Sequence, residues 1–190
     1  MKEVLEALVG SVVAIAVGNP LTDTAQIIGT GFVADSDGVV ATCWHVAEEH
    51  DRLACLCPAA SPVALGVVQG NRFRWLVPGP AGRAVSAAHD LTIYKFGAFP
   101  FRLPAVVLAT EPSSMGTELG VLGYPLGGEM QGKEKRQYAC HCTLSGLVPS
   151  DAPLLQHRSW SDRLLLDRHI AHGFSGSPVF RTDDGTVIGM

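Results

Sequence analysis

Short aliphatic and β-branched runs, cut by Gly, Pro, Asp and Ser, dominate the hydrophobic pattern of this chain. Such a pattern predicts strands and turns rather than long helices. Ile28 to Ala34 is one run, thinned by Gly29 and Gly31. Asp35-Ser36-Asp37-Gly38 follows as a turn, in which Asp side chains cap the backbone and Gly38 takes a positive φ. Val39 to Thr42 then returns, so the two runs form a hairpin. Val12 to Val17, Leu53 to Cys57, Val63 to Gln69, Phe73 to Val77 and Leu91 to Phe96 read as further strands. Helix is predicted only at the start, where Val4, Leu5 and Leu8 share a face. Ala47 to His50 reads as a turn.

Gly97 to Pro104 breaks the pattern. Pro100 and Pro104 exclude a central strand there, so the segment reads as a linker. Beyond it, strands are predicted at Ala105 to Ala109, Glu118 to Leu122, Tyr138 to Val148, Arg163 to Ile170, Val179 to Arg181 and Thr186 to Gly189. Gly127 to Gln137 reads as an exposed hairpin loop. Many short strands at even spacing indicate an all-β barrel or sandwich, and the mid-chain linker suggests two barrels. The division falls at residues 1–97 and 98–190.

Composition narrows the partners. The 190 residues are 47% hydrophobic, enough for a substantial core, and the net charge is -4 without any run of Lys or Arg. A basic nucleic-acid-binding face is therefore not expected. The apolar run Leu8 to Val17 is too short to span a bilayer, and Glu3 and Glu6 stand where a secretion signal would be positive. No membrane contact is expected. The five cysteines are an odd number, which favours free thiols in a reducing cytoplasm over a disulfide framework.

The stretch A-H-G-F-S-G-S-P-V-F places Ser175 between glycines, ahead of an apolar strand. Serine needs a base to become a nucleophile, and the base needs a group to orient it. His45, in A-T-C-W-H-V at the end of a strand, is the candidate base. Asp90, in H-D-L-T-I-Y-K-F at the mouth of another, is the candidate orienting acid. Gly173 and Gly176 allow a tight bend, so the N–H groups of Gly173 and Ser175 could converge on a developing oxyanion.

These segments resemble a known family. G-T-G-F-V-A-D-S-D-G-V-V-A-T-C-W-H-V, H-D-L-T-I-Y-K-F and G-F-S-G-S-P-V-F are similar to the three signature segments of trypsin-like serine proteases, above all the bacterial HtrA-type peptidase domain. L-G-V-L-G-Y-P-L-G and T-L-S-G-L-V resemble two second-barrel segments of that group. The resemblance runs from about Ile28 to the C-terminus. It implies two antiparallel six-stranded β-barrels with the active site between them. His45, Asp90 and Ser175 become base, orienting acid and nucleophile, and Gly173 an oxyanion donor. Two positions depart from the family. Phe174 stands where an Asp or Asn is usual, so no ion pair to a newly cut N-terminus is available there. Ser177 stands where Gly is usual.

His169 and His172, just upstream of Ser175, fall where the family builds its substrate pocket. His89 reads as structural, and Cys43 and Trp44 as packing residues. Cys55-Leu56-Cys57 and Cys140-His141-Cys142 are C-x-C pairs, each placing two thiols on one strand face. They lack the C-x-x-C spacing of a zinc knuckle, so no metal and no cofactor are expected. The function expected is a serine endopeptidase acting on polypeptides. The alternative is a catalytically silent module of the same fold used for protein binding. The family continues with another strand beyond the equivalent of Val187 to Gly189. The second barrel is thus expected to be incomplete, its open edge closed by a longer chain, a regulatory domain or a partner chain.

Overall fold

The computed structural model describes residues 1–20, 25–56, 63–70, 72–77, 79–97, 99–125, 136–148, 163–168 and 170–190. A short helix, α1 (Lys2–Leu8), leads into β1 (Val12–Val17), β2 (Gln26–Asp35) and β3 (Val39–Cys43). Helix α2 (Trp44–Leu56) follows, then β4 (Ala64–Gln69), β5 (Arg72–Leu76), β6 (Pro80–Ser86), a 3-10 turn (Ala87–His89) and β7 (Leu91–Phe96). The rest of the chain supplies β8 (Glu118–Gly123), β9 (Tyr138–Val148), β10 (Arg163–Leu166), β11 (Val179–Arg181) and β12 (Val187–Gly189).

The strands form two antiparallel sheets, seven-stranded in the order β5-β4-β1-β2-β3-β7-β6 and five-stranded in the order β10-β9-β8-β11-β12. The fold is mostly β, as expected, but the six-stranded closed barrels are not what forms. Closure requires the outer strands of a sheet to pair with each other. Among the described residues β5 and β6 remain the edges of one sheet, and β10 and β12 those of the other. The edge at β12 is partly occupied. Val187 N–H donates to Val107 O at 2.8 Å, and Ala109 N–H donates to Val187 O at 2.8 Å. The strand expected at Ala105 to Ala109 thus reduces to one parallel bridge, Leu108 to Val187.

β1 explains why its sequence shows no polar alternation. Every residue of Val12–Val17 is buried, because both faces of this central strand are covered. Val13 and Ile15 join a core with Val33, Val40, Tyr94 and Phe96. Val12, Ala14 and Ala16 join a second core with Leu122, Tyr124 and Phe180 of the other sheet. A third core lies within the second sheet, around Leu119, Val121 and Leu144.

Three further expectations are corrected. Ala47 to His50 is not an isolated turn, and of the strand expected at Leu53 to Cys57 the described residues, up to Leu56, are helix. Residues Trp44–Leu56 are one helix whose buried face is Val46, Ala47 and His50. Strand β6 gave no signal because it is an edge with exposed residues from Pro80 to Val85, where Pro is tolerated and no apolar face is needed. The strand expected at Arg163 to Ile170 ends at Leu166. Most of the loop expected at Gly127 to Gln137 lies outside the described residues. Gln137 itself is described: its Nε2 lies 3.0 Å from Val9 O, 2.9 Å from Val12 O and 2.9 Å from Tyr124 Oη.

Candidate active site

β3 ends at Cys43 and α2 begins at Trp44, which puts His45 in the first turn of a helix. That turn has unpaired N–H groups and the positive end of the helix dipole. Asp90 satisfies both. Trp44 N–H donates to the Asp90 carbonyl at 2.9 Å, and His45 N–H donates to Asp90 Oδ1 at 3.0 Å. The imidazole completes the grip, its Nδ1 lying 3.0 Å from Oδ1 and 2.8 Å from Oδ2. With Nδ1 committed to the carboxylate, Nε2 is the nitrogen left to accept a proton.

Asp90 reaches this position through an uncommon backbone. It caps the Ala87–His89 turn at φ 50, ψ 41, in the left-handed region. It is the one non-glycine residue at positive φ among the described residues, and Asp tolerates that region better than most. Ser86 Oγ and His89 Nδ1 lie 2.6 Å apart across the turn, so His89 braces it.

Ser175 lies in the loop before β11, with Gly173 at φ 96 and Gly176 at φ 85. The loop is pressed onto β2 and β3. Thr30 N–H donates to Ser175 O at 2.8 Å. A Cβ on Gly29 would stand 3.2 Å from that same oxygen, and one on Gly176 would overlap Thr30 O and Thr42 Oγ1 and lie 3.1 Å from Cys43 N. Ser175 is thereby packed beside the end of β3, two residues from His45. Among the described residues no hydrogen bond joins Ser175 Oγ to His45. Catalytic contacts of this kind often tighten only when substrate binds. Neither Gly173 N–H nor Ser175 N–H donates to another described residue. His172 is exposed beside the loop, and His169 lies outside the described residues.

The family of trypsin-like peptidase domains matches residues 29–190. The chain belongs to that family. The resemblance carried by the three signature segments is thus borne out. Solved structures share the fold of this trypsin-like peptidase domain. Deg5 is 23% identical, with a TM-score of 0.73 over 100% of this chain and 82% of its own. The HtrA-type protease AlgW, solved with a tripeptide, is 17% identical, with a TM-score of 0.71 over 100% of this chain and 52% of its own. The active form of the Rv3671c protease from M. tuberculosis is 23% identical, with a TM-score of 0.60 over 98% of this chain and 71% of its own. No curated protein matches the chain in sequence.

Of the two departures of this trypsin-like domain, Phe174 has a structural explanation and Ser177 has none. Phe174 is 9% exposed and belongs to the core of the second sheet, with Leu119, Val121 and Val179. The residue before the nucleophile candidate is an anchor for its loop. Ser177 is buried, and its Oγ has no hydrogen-bond partner among the described residues. It crowds Gly123, where any Cβ would overlap it.

Cys43 packs in the first core as expected, but it also touches the site. Its Sγ, a ring nitrogen of His45 and a carboxylate oxygen of Asp90 all lie within 4.8 Å of one another. Burial first, and then the Asp90 charge, push the Cys43 thiol up to about 12. Of the C-x-C pairs, Cys55 sits exposed on α2 rather than on a strand, and Cys57 lies outside the described residues. Cys140 and Cys142 are on β9, and Cys142 is buried in the third core.

Proposed function

We propose that this domain is a serine endopeptidase in which Ser175 is the nucleophile, His45 the base and Asp90 the orienting acid. The observation that carries the reading is the double grip of Asp90 on His45, through the backbone N–H and through Nδ1. That grip fixes the tautomer in which Nε2 accepts a proton, and it stabilises the imidazolium once formed. Ser175 Oγ attacks the scissile carbonyl while its proton passes to His45 Nε2. The oxygen that becomes negative is received by Gly173 N–H and Ser175 N–H. His45 then gives the proton to the leaving amine, which departs and leaves an acyl-enzyme. Water, activated by the same imidazole, attacks the acyl carbon and frees Ser175 and the new carboxyl terminus. No step requires a cofactor.

The test is a peptide-library digest read by mass spectrometry, run beside labelling with a fluorophosphonate probe. Ser175→Ala is expected to lose both labelling and turnover, with kcat falling about 10⁶-fold. Its far-ultraviolet circular dichroism should match the wild type. Equal cleavage by the two proteins would remove Ser175 from the mechanism.

A further inference from the structure

We propose that Thr30 is a positioning residue that pins the Ser175 loop on both sides of the nucleophile. The inference rests on the reading of Ser175 as nucleophile. Thr30 lies in the G-T-G-F segment of β2 and is fully buried. Four hydrogen bonds use each of its polar groups. Its N–H donates to Ser175 O at 2.8 Å. Its Oγ1–H donates to Gly173 O at 2.9 Å. Oγ1 in turn accepts from Tyr124 N–H at 3.0 Å, and its carbonyl accepts from Thr42 Oγ1–H at 2.6 Å.

The direction of the hydroxyl follows from this set. An amide N–H can only donate, so Oγ1 is the acceptor for Tyr124, and its single proton is left for Gly173 O. Thr30 therefore holds the carbonyls of Gly173 and Ser175, the two that flank the Phe174–Ser175 peptide. A peptide unit is planar, so fixing its carbonyl fixes the whole plane. The Gly173–Phe174 and Ser175–Gly176 planes are held by Thr30. The plane between them is held by Ser177 N–H, which donates to Phe174 O at 2.8 Å. In a trans peptide the N–H points opposite to the carbonyl, so Ser175 N–H is turned away from Ser177. Gly173 is where a latch matters, because glycine at φ 96 can swing to other conformations at little cost. Without a donor at its carbonyl, nothing polar on β2 would resist that swing.

Thr30→Val keeps the shape and removes the hydroxyl. The expected result is a kcat lower by about tenfold, below the 10²- to 10³-fold loss typical when an oxyanion donor is deleted outright. KM should stay within about twofold, because ground-state binding does not use the clamp. Thr30→Ser should restore kcat. A peptide aldehyde, whose hemiacetal oxygen occupies the oxyanion position, should lose affinity for Thr30→Val by the same factor as kcat. A product-like peptide without an electrophile should bind both proteins equally. Should Thr30→Val fail to fold, Thr30→Cys carries the test, its weaker donor giving a kcat between those of the Ser variant and a tenfold loss. Equal kcat and equal aldehyde affinity in Thr30→Val and wild type, with Ser175 labelled by a fluorophosphonate in both, would overturn the clamp alone. Absence of labelling at Ser175 in the wild type would overturn the peptidase reading and the clamp with it.

Discussion

Burial and the neighbouring Asp90 carboxylate push the Cys43 thiol up to about 12, and burial pushes the Cys142 thiol up to about 11, each from an ordinary 9.0. Both are therefore thiols, not thiolates, at neutral pH, and Cys43 stays chemically quiet beside His45. Below pH 9 both states of the protein hold these protons, so stability does not depend on them. Above pH 9 the unfolded chain releases the protons first, and folding stability falls as pH rises toward 11 and 12. We expect a decline of roughly 1 kcal/mol per pH unit for each buried thiol, read as a falling urea midpoint between pH 8.5 and 10.5. Cys43→Ser should roughly halve that decline, leaving the share of Cys142, and the same slope in the variant and wild type would sink the assignment. The candidate base, acid and nucleophile were readable from sequence because each sits in its own short motif. Thr30 was not, since Gly173, which it holds, is 143 residues away in sequence. Phe174 could be read as a lost carboxylate, but its place in the core depends on side chains from β8 and β11.

Helix α2 is the element the sequence concealed. Its buried face is narrow, and the apolar run from Leu53 to Leu56 masks the helical period, with Leu56 itself exposed. What fixes it is the join to β3 and β2. Val46 sits so close to Gly29 that any Cβ there would stand 2.7 Å from its Cγ1. His50 is buried on the same face, and neither ring nitrogen makes a hydrogen bond among the described residues. The Asp51 carboxylate stands 3.5 Å from its Nδ1. A buried polar group without a hydrogen bond costs about 1–3 kcal/mol, and an apolar replacement of similar shape removes that cost. His50→Phe is therefore expected to leave the urea midpoint unchanged or raise it. A loss above about 2 kcal/mol would mean that the ring is held by a partner other than Asp51.

The site exists only because two sheets meet. His45 and Asp90 belong to the first sheet and Ser175 to a loop of the second, and one core runs through both. Val12, Phe32 and Ala41 pack there with Leu122, Tyr124 and Phe180. Phe180 is fully buried, and its ring fills the space that a side chain at Gly120 would take. Phe180→Ala should cost about 3–5 kcal/mol. Because the proposed catalytic groups are divided between the sheets, activity and circular dichroism should be lost together along a urea titration. Activity lost well before the spectroscopic transition would show that the sheets separate first. The even spacing of strands announced this mostly-β architecture. An open edge in the second sheet was expected from the resemblance, but the open edges of the first sheet were not readable, because pairing between distant strands leaves no mark on local periodicity.

Asp90 holds a backbone conformation that glycine or asparagine would accept as readily. The single substitution Asp90→Asn would keep an acceptor for His45 N–H and the left-handed turn. In the proposed mechanism it would lose the charge that selects the working tautomer. Melting temperature, expression level and solubility would barely register the change, while kcat would drop about 10⁴-fold. A laboratory evolution campaign that selects on thermal tolerance is blind at this position, and can accumulate inert clones that look improved. Any such campaign on this domain needs a turnover readout in every round.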